Sequence, residues 1–165
     1  MLRLVVDLSV WIDLFHGRII ESFLELEADF LVSDAQLAEI EKEKGLNLDP
    51  YLPRLSSQSY TPSEMTKVQT LVTQYPKLSS PDVLAFLLAT RANAILVTGD
   101  KSLRKLASEC GIECHGMLWI LDTLLEHKLI TTEGAFLALG SIVEENAFLP
   151  RREVRKRLEM WNPRK

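Results

Sequence analysis

The chain has 165 residues, the length of one ordinary domain, and is 47% hydrophobic and 25% charged, which is typical of a globular protein. Its formal net charge of -4 excludes a globally basic protein that coats nucleic acid, but not a locally basic surface. No apolar run is long enough to span a bilayer, so no membrane association is expected.

The apolar start of the chain does not predict a signal peptide. Asp7 and Asp13 interrupt it, and no small-residue cleavage site follows, so we expect this segment to be part of the fold. Cys110, Cys114 and His115 form a C-x3-C-H sequence, but a zinc site needs three or four ligands and no second Cys/His cluster exists. Two reduced cysteines are the simpler interpretation, and a cytoplasmic protein is expected.

Predicted strands and helices alternate along the first two thirds of the chain. Short apolar runs predict buried strands at residues 2–7, 29–33, 93–100 and 112–116, with 55–60 as a candidate edge strand. Apolar residues at helical spacing predict a helical turn at 9–15 and helices at 18–27, 34–45, 61–75, 79–92 and 101–111. Three further helical stretches follow, at 117–128, 132–146 and 150–161.

Helix-start signals support three of these helices. Ser33 with Gln36, Thr61 with Glu64, and Ser79 with Asp82 have the spacing of a capping box. Gly45 is expected to close the helix that Ser33 opens. Alternating strands and helices predict an α/β fold with a mostly parallel sheet flanked by helices over residues 1–116. A helical C-terminal extension, residues 117–165, is expected to pack on the same domain.

Four acidic residues occupy positions from which they can converge. Asp7 and Asp100 follow strands, Asp82 opens a buried helix, and Glu39 lies in the helix after the second strand. In open α/β sheets, sites form beyond the carboxyl ends of the strands. Asp82 and Asp100 are also good helix-capping residues, and Glu39 fits a solvated helix face. Asp7 is harder to explain structurally, because a carboxylate after a buried strand needs a partner.

A convergent cluster of carboxylates restricts the possible chemistry. Like charges at about 4 Å repel by several kcal/mol at an effective dielectric near 20, so the cluster must take up protons or bind a cation. Oxygen ligands without histidine or cysteine favour Mg²⁺ or Mn²⁺ over zinc. Such an ion can activate a water and neutralise a leaving oxygen, which is the equipment of a phosphodiesterase.

The motifs and their order resemble the PIN-domain ribonucleases. Three segments carry the resemblance: VVDLSVWIDLF, FLVSDAQLAEIEKE and LSSPDVLAFLLATRANAILVTGDKSLRKLA. The residues that match the family pattern are Asp7 with Ser9 beside it, Glu39, Asp82, and Asp100 with Thr98 beside it. The match covers about residues 1–116, and the remaining helices resemble a bacterial and archaeal subgroup that carries extra C-terminal helices.

The resemblance implies a three-layer fold and Mg²⁺- or Mn²⁺-dependent cleavage of single-stranded RNA. Asp7, Glu39, Asp82 and Asp100 would hold the metal, and Ser9 and Thr98 would contact the substrate or orient these acids. The resemblance also implies frequent homodimers and, in many members, a toxin held inactive by a small antitoxin protein.

Several alternatives stay open at this point. Glu43 can replace Glu39 if the helix phase is shifted, and the chain can be a PIN-like module that binds RNA or protein without cutting it. A receiver-type signalling domain fits less well, because Leu8 rather than a second acid follows Asp7 and the last strand lacks a lysine. The basic run at 150–157 is interpreted as a solvated helix face, with phosphate contact as the alternative. The tryptophans are interpreted as core or interface anchors rather than base-stacking platforms.

Overall fold

A computed structural model of the chain describes residues 1–43 and 45–164. The strands are Leu2–Val6 (β1), Ala28–Ser33 (β2), Leu55–Gln58 (β3), Ile95–Val97 (β4) and Cys114–His115 (β5). The helices are Leu8–His16 (α1), Ile20–Leu24 (α2), Asp34–Lys42 (α3), Pro62–Gln74 (α4), Ser80–Ala92 (α5), Lys101–Glu109 (α6), Met117–Glu126 (α7), Thr132–Glu145 (α8) and Arg151–Trp161 (α9). A 3-10 helix spans Asp49–Arg54. None of the described helices is both long and apolar enough to cross a membrane.

The five strands form one all-parallel sheet in the order β3-β2-β1-β4-β5. This confirms the predicted α/β fold and the predicted edge strand at β3. The chain builds the sheet from β1 outward on one side and then returns to the other side of β1 with β4. The strand order therefore reverses between β1 and β4, and in such sheets the crevice outside the carboxyl ends at the reversal is the usual ligand site.

Two hydrophobic clusters cover the two faces of the sheet and make three layers. Successive β1 side chains point to opposite faces, so that Leu4 and Val6 join one cluster and Val5 joins the other. The first cluster contains residues of α1, α2, α7 and α8, and the second contains residues of α4, α5 and α6. The helices that follow residue 116 thus share a core with the first strand.

Several predicted boundaries differ from the observed ones. The predicted helical turn at 9–15 is the complete helix α1, and the predicted helix 18–27 contains only α2. The strand predicted at 93–100 is limited to Ile95–Val97: Asn93 ends α5 in the left-handed conformation (φ 52°), and Asp100 already caps α6. The helix predicted at 34–45 ends at Lys42, and residue 44 of that prediction lies outside the described residues.

The complete capping box forms in two of the three predicted places, and half of it forms in the third. Complete capping boxes open α4, between Thr61 and Glu64, and α5. At α3, the Ser33 hydroxyl accepts from the Gln36 backbone N–H at 3.0 Å, but the Gln36 side chain donates to the backbone oxygen of Val6 instead of returning to Ser33. This contact joins the start of α3 to the carboxyl end of β1.

Candidate active site

Asp7 is the first residue beyond the carboxyl end of β1 and the N-cap of α1. Its backbone N–H donates to the Val97 oxygen of the neighbouring strand at 2.9 Å, which extends the pairing of β1 and β4 by one residue. Its Oδ1 accepts from the backbone N–H of Leu8 at 2.8 Å. The strand thus fixes the backbone of Asp7, and the cap fixes one of its two carboxylate oxygens.

The second oxygen of Asp7 is bound by hydroxyl groups. The Thr98 hydroxyl donates to Oδ2 at 2.7 Å, and the Ser9 hydroxyl donates to it at 3.4 Å. Asp7 is only 7% exposed, and burial is the main reason that the pKa of its carboxyl is raised. The Thr98 hydrogen bond opposes the rise in pKa, and the negative charge of Asp82 adds to it. Burial and the negative charge of Asp82 both disfavour the ionised carboxylate, and a cation beside Asp7 would offset both effects.

Thr98 connects the two strand-end acids. Its fully buried hydroxyl donates to Asp7 and accepts from the backbone N–H of Asp100 at 3.1 Å. Asp100 is the N-cap of α6, where its Oδ1 accepts from the Leu103 N–H at 2.8 Å. The capping role and the position at the strand end therefore coexist in Asp100.

Asp82 and Glu39 approach from two helices. Asp82 lies in the first turn of α5, where its Oδ2 accepts from the Ser79 N–H at 2.9 Å. Glu39 lies on α3, the helix that the Gln36 contact joins to β1, and its Oε1 is 3.4 Å from the Lys42 ammonium nitrogen. Both side chains are part-exposed, so they can reorient more freely than Asp7.

All four carboxylates line one cleft of about 730 Å³ at the carboxyl end of the sheet. The lining residues are Asp7, Leu8, Ser9, Asp13, Glu39, Ser79, Pro81, Asp82, Gly99, Asp100, Lys101, Asn146, Phe148 and Leu149. Within residues 1–43 and 45–164, no three His, Cys, Asp or Glu side chains are close enough together to form a ready metal cage. The donor set fits Mg²⁺ or Mn²⁺, because Mg²⁺ in particular keeps several waters and is usually held by only one or two carboxylates together with substrate phosphate.

The alternative ligands lie elsewhere. Glu43 caps the C-terminal end of α3, is exposed, and does not line the cleft, whereas Glu39 does. Cys110 and Cys114 are free thiols. His115 lies 3.0 Å from a carboxylate oxygen of Glu113 and belongs to no metal-binding group within the described residues.

Four further residues line the cleft although no sequence motif pointed to them as site residues: Asp13, Lys101, Asn146 and Phe148. Asp13 is 4% exposed, and both of its carboxylate oxygens accept from the Asn146 side-chain amide at 3.1 Å. Burial raises the pKa of the Asp13 carboxyl, against the lowering effect of the Asn146 hydrogen bond. Asp13 could have been identified from the sequence, because it is an acid among the apolar residues of α1. Nothing in the local sequence points to Asn146 or Phe148.

A comparison with family models decides the family. A model described as a PIN domain matches residues 3–163. The chain belongs to the PIN-domain family. The match includes the C-terminal helices, beyond the segments on which the sequence resemblance depended. PIN domains are generally nucleases, so the family supports a hydrolase that acts on nucleic acid.

Solved structures show the PIN fold at low sequence identity. A PilT N-terminus domain protein from the hyperthermophilic archaeon Sulfolobus solfataricus P2 is 17% identical, with a TM-score of 0.51 over 77% of this chain and 96% of that one. VapBC2 from Rickettsia felis, bound to a DNA fragment from its promoter, is 17% identical, with a TM-score of 0.50 over 70% of this chain and 98% of that one. A search of curated proteins finds no significant match.

Proposed function

We propose that this PIN domain is an endoribonuclease that cleaves single-stranded RNA with the help of Mg²⁺ or Mn²⁺. The observation that carries the proposal is the convergence of Asp7, Glu39, Asp82 and Asp100 on one cleft where the strand order reverses. Asp7 in this cleft is buried and its pKa is raised, so a bound cation would stabilise its ionised carboxylate.

In this proposal, different residues of the cleft have different roles. Asp7, Glu39, Asp82 and Asp100 would hold the ion, directly or through the waters it keeps, and the Thr98 and Ser9 hydroxyls keep Oδ2 of Asp7 in one position. Lys101 is exposed in the cleft next to Asp100 and offers a cation to a substrate phosphate. When bound, Mg²⁺ or Mn²⁺ supplies a water of lowered pKa and neutralises charge on the leaving oxygen.

The direct test of the proposal is RNA cleavage by the purified chain. Wild-type protein should cut a labelled single-stranded RNA in Mn²⁺ or Mg²⁺ and should stop when EDTA is added. A double-stranded RNA of the same sequence serves as the control and should be cut more slowly. RNA binding without cleavage in every ion would contradict the proposal and leave a binding module.

Metal binding itself is a separate prediction. We expect titration calorimetry to detect Mn²⁺ binding at millimolar ion or below, and Mn²⁺ should raise the melting temperature of the wild type, because an ion that binds only the folded state stabilises it. Asp7→Asn should reduce both effects. An equal shift in melting temperature for wild type and Asp7→Asn would place the bound ion outside the cleft.

We also propose that the protein is the toxin of a toxin–antitoxin pair, with a small antitoxin protein as partner. The PIN family and the fold shared with the VapBC2 complex support this proposal. Expression of the wild type without a partner should arrest growth of the host cell, and expression of Asp7→Asn at the same level should not. Arrest by both proteins would mean that toxicity does not depend on the acidic cleft.

A homodimer is proposed on the packed pair α1 and α8. Phe15 on α1 and Leu137 on α8 are exposed apolar side chains, the latter 60% exposed. Light scattering should give twice the chain mass at micromolar concentration, and Leu137→Glu should shift the protein toward monomer. A monomer mass for the wild type over a wide concentration range would refute the dimer.

A further inference from the structure

One of the residues that line the acidic cleft is a highly exposed phenylalanine. Phe148 is 95% exposed and lines the same cleft as Asp7 and Asp100. Among the described large hydrophobic residues, only Met1 at the start of the chain is as exposed, and the next, Leu137 and Met160, are 60% exposed. A ring held this far into solvent contributes nothing to the core of the free protein.

The segment that carries Phe148 is fixed at several points. The Phe148 backbone N–H donates to Oδ1 of Asn146 at 2.9 Å, and the amide nitrogen of the same Asn146 donates to the buried Asp13 carboxylate. The next residue, Leu149, packs against the hydrophobic cluster that contains α1. Because the backbone on each side of the ring is anchored, little backbone conformational entropy is lost when Phe148 contacts a ligand.

The three tryptophans are not available to a ligand in the cleft. Trp11 and Trp161 are buried, and Trp119 stacks on His115 with ring centroids 4.4 Å apart and an interplanar angle of 8°. None of these three lines the cleft, and within residues 1–43 and 45–164 Phe148 is the aromatic residue that does. Lys101 lies in the same cleft and is exposed. A ring and a cation in one cleft match the two parts of a nucleotide, its base and its phosphate.

We propose that Phe148 is a base-stacking subsite for a nucleotide close to the phosphate that is cut. This inference depends on the proposed ribonuclease function and adds to it a residue that positions the substrate. An unpaired base can lie flat on the ring, whereas a base inside a duplex is stacked on its neighbours and has no free face. Since phenylalanine offers no hydrogen bond, the subsite selects single strands and does not read base identity.

The test compares steady-state cleavage of one single-stranded RNA in Mn²⁺ by wild type and Phe148→Ala. Phe148→Ala should raise KM about five- to 150-fold, the range for loss of one stacked base, with a smaller change in kcat. Phe148→Trp should keep KM within about threefold of the wild type, because its ring also stacks. Met160→Ala, which removes an exposed apolar side chain away from the cleft, is the matched control and should leave KM unchanged.

An abasic scan identifies the contact itself. One abasic nucleotide placed in turn along the RNA should raise the wild-type KM most at a single position. At that position Phe148→Ala should show no further increase, because the base and the ring act as a pair. If wild type does not cleave any RNA, the proposed function fails and the subsite fails with it. If wild type cleaves and Phe148→Ala has the same KM, the function stands and the subsite is overturned, leaving Phe148 free to contact a protein partner instead.

Discussion

Asp7→Asn is expected to lower RNA cleavage about a hundred- to a thousandfold while the metal-free protein stays at least as stable as the wild type. The loss of rate is the size that follows removal of one electrostatic stabiliser from an active site. The amide keeps an oxygen for the Leu8 N–H and can still hydrogen-bond the Thr98 hydroxyl, so the local geometry survives.

The expected gain in stability follows from the sign of the pKa shift. Burial raises the pKa of Asp7 in the folded protein, so its ionised form is disfavoured there relative to the unfolded chain. The wild type therefore loses stability as the pH rises from the ordinary carboxyl pKa through the folded value. Asp7→Asn removes that loss, and its melting temperature should exceed that of the wild type by more at neutral than at acidic pH.

Asp100→Asn is the matched comparison, because asparagine caps a helix about as well as aspartate does. If Asp100 helps to hold the metal, cleavage should fall roughly tenfold to a thousandfold with the melting temperature unchanged. The measurement is paired: thermal unfolding without metal, and cleavage in Mn²⁺. If cleavage is retained, or if stability is lost in proportion to cleavage, Asp100 acts only as a helix cap.

Asn146→Ala is expected to produce the largest loss of stability among the cleft variants. It leaves the buried Asp13 carboxylate without the amide that donates to both of its oxygens. Loss of the partner of a buried polar group costs about 1–3 kcal/mol. For a chain of this length the cost corresponds to a fall of roughly 3–10 °C in the melting temperature.

The fall in melting temperature caused by Asn146→Ala should be larger at higher pH. Burial raises the pKa of Asp13 in the folded state, so at low pH the carboxyl is protonated and the missing donor matters little. As the pH rises through that pKa the ionised form loses its partner, and the difference between Asn146→Ala and wild type should increase.

Asp13→Asn supplies the control for this prediction. It keeps an acceptor for Asn146 and removes the charge, so the double variant Asp13→Asn, Asn146→Ala should lose the pH dependence. A loss of stability in Asn146→Ala that is the same at acidic and alkaline pH would contradict the role given to the Asp13 carboxylate. Thermal unfolding of the four proteins over a pH series makes the comparison.

Elements with local signals could be predicted from the sequence. Apolar runs located the strands, and the capping box at Ser79 and Asp82 located the start of α5, because both signals depend on neighbours a few residues apart. An acid directly after a buried strand selected Asp7, and the order of the acids resembled a family to which the chain belongs.

Contacts between groups that are far apart in the sequence could not be predicted in this way, because they depend on the packing of the whole fold. Thr98 and Asp7 are 91 residues apart and hydrogen-bonded, and Asn146 and Asp13 are 133 residues apart. The Gln36 side chain donates to the backbone oxygen of Val6 in β1 and not to Ser33, and no local sequence rule predicts that contact in preference to the capping box. The exposure of Phe148 likewise depends on what the rest of the chain leaves uncovered. Periodicity and capping specify a residue's own segment, whereas hydrogen bonds and exposure in the cleft depend on how the packed sheet and helices bring separate segments together.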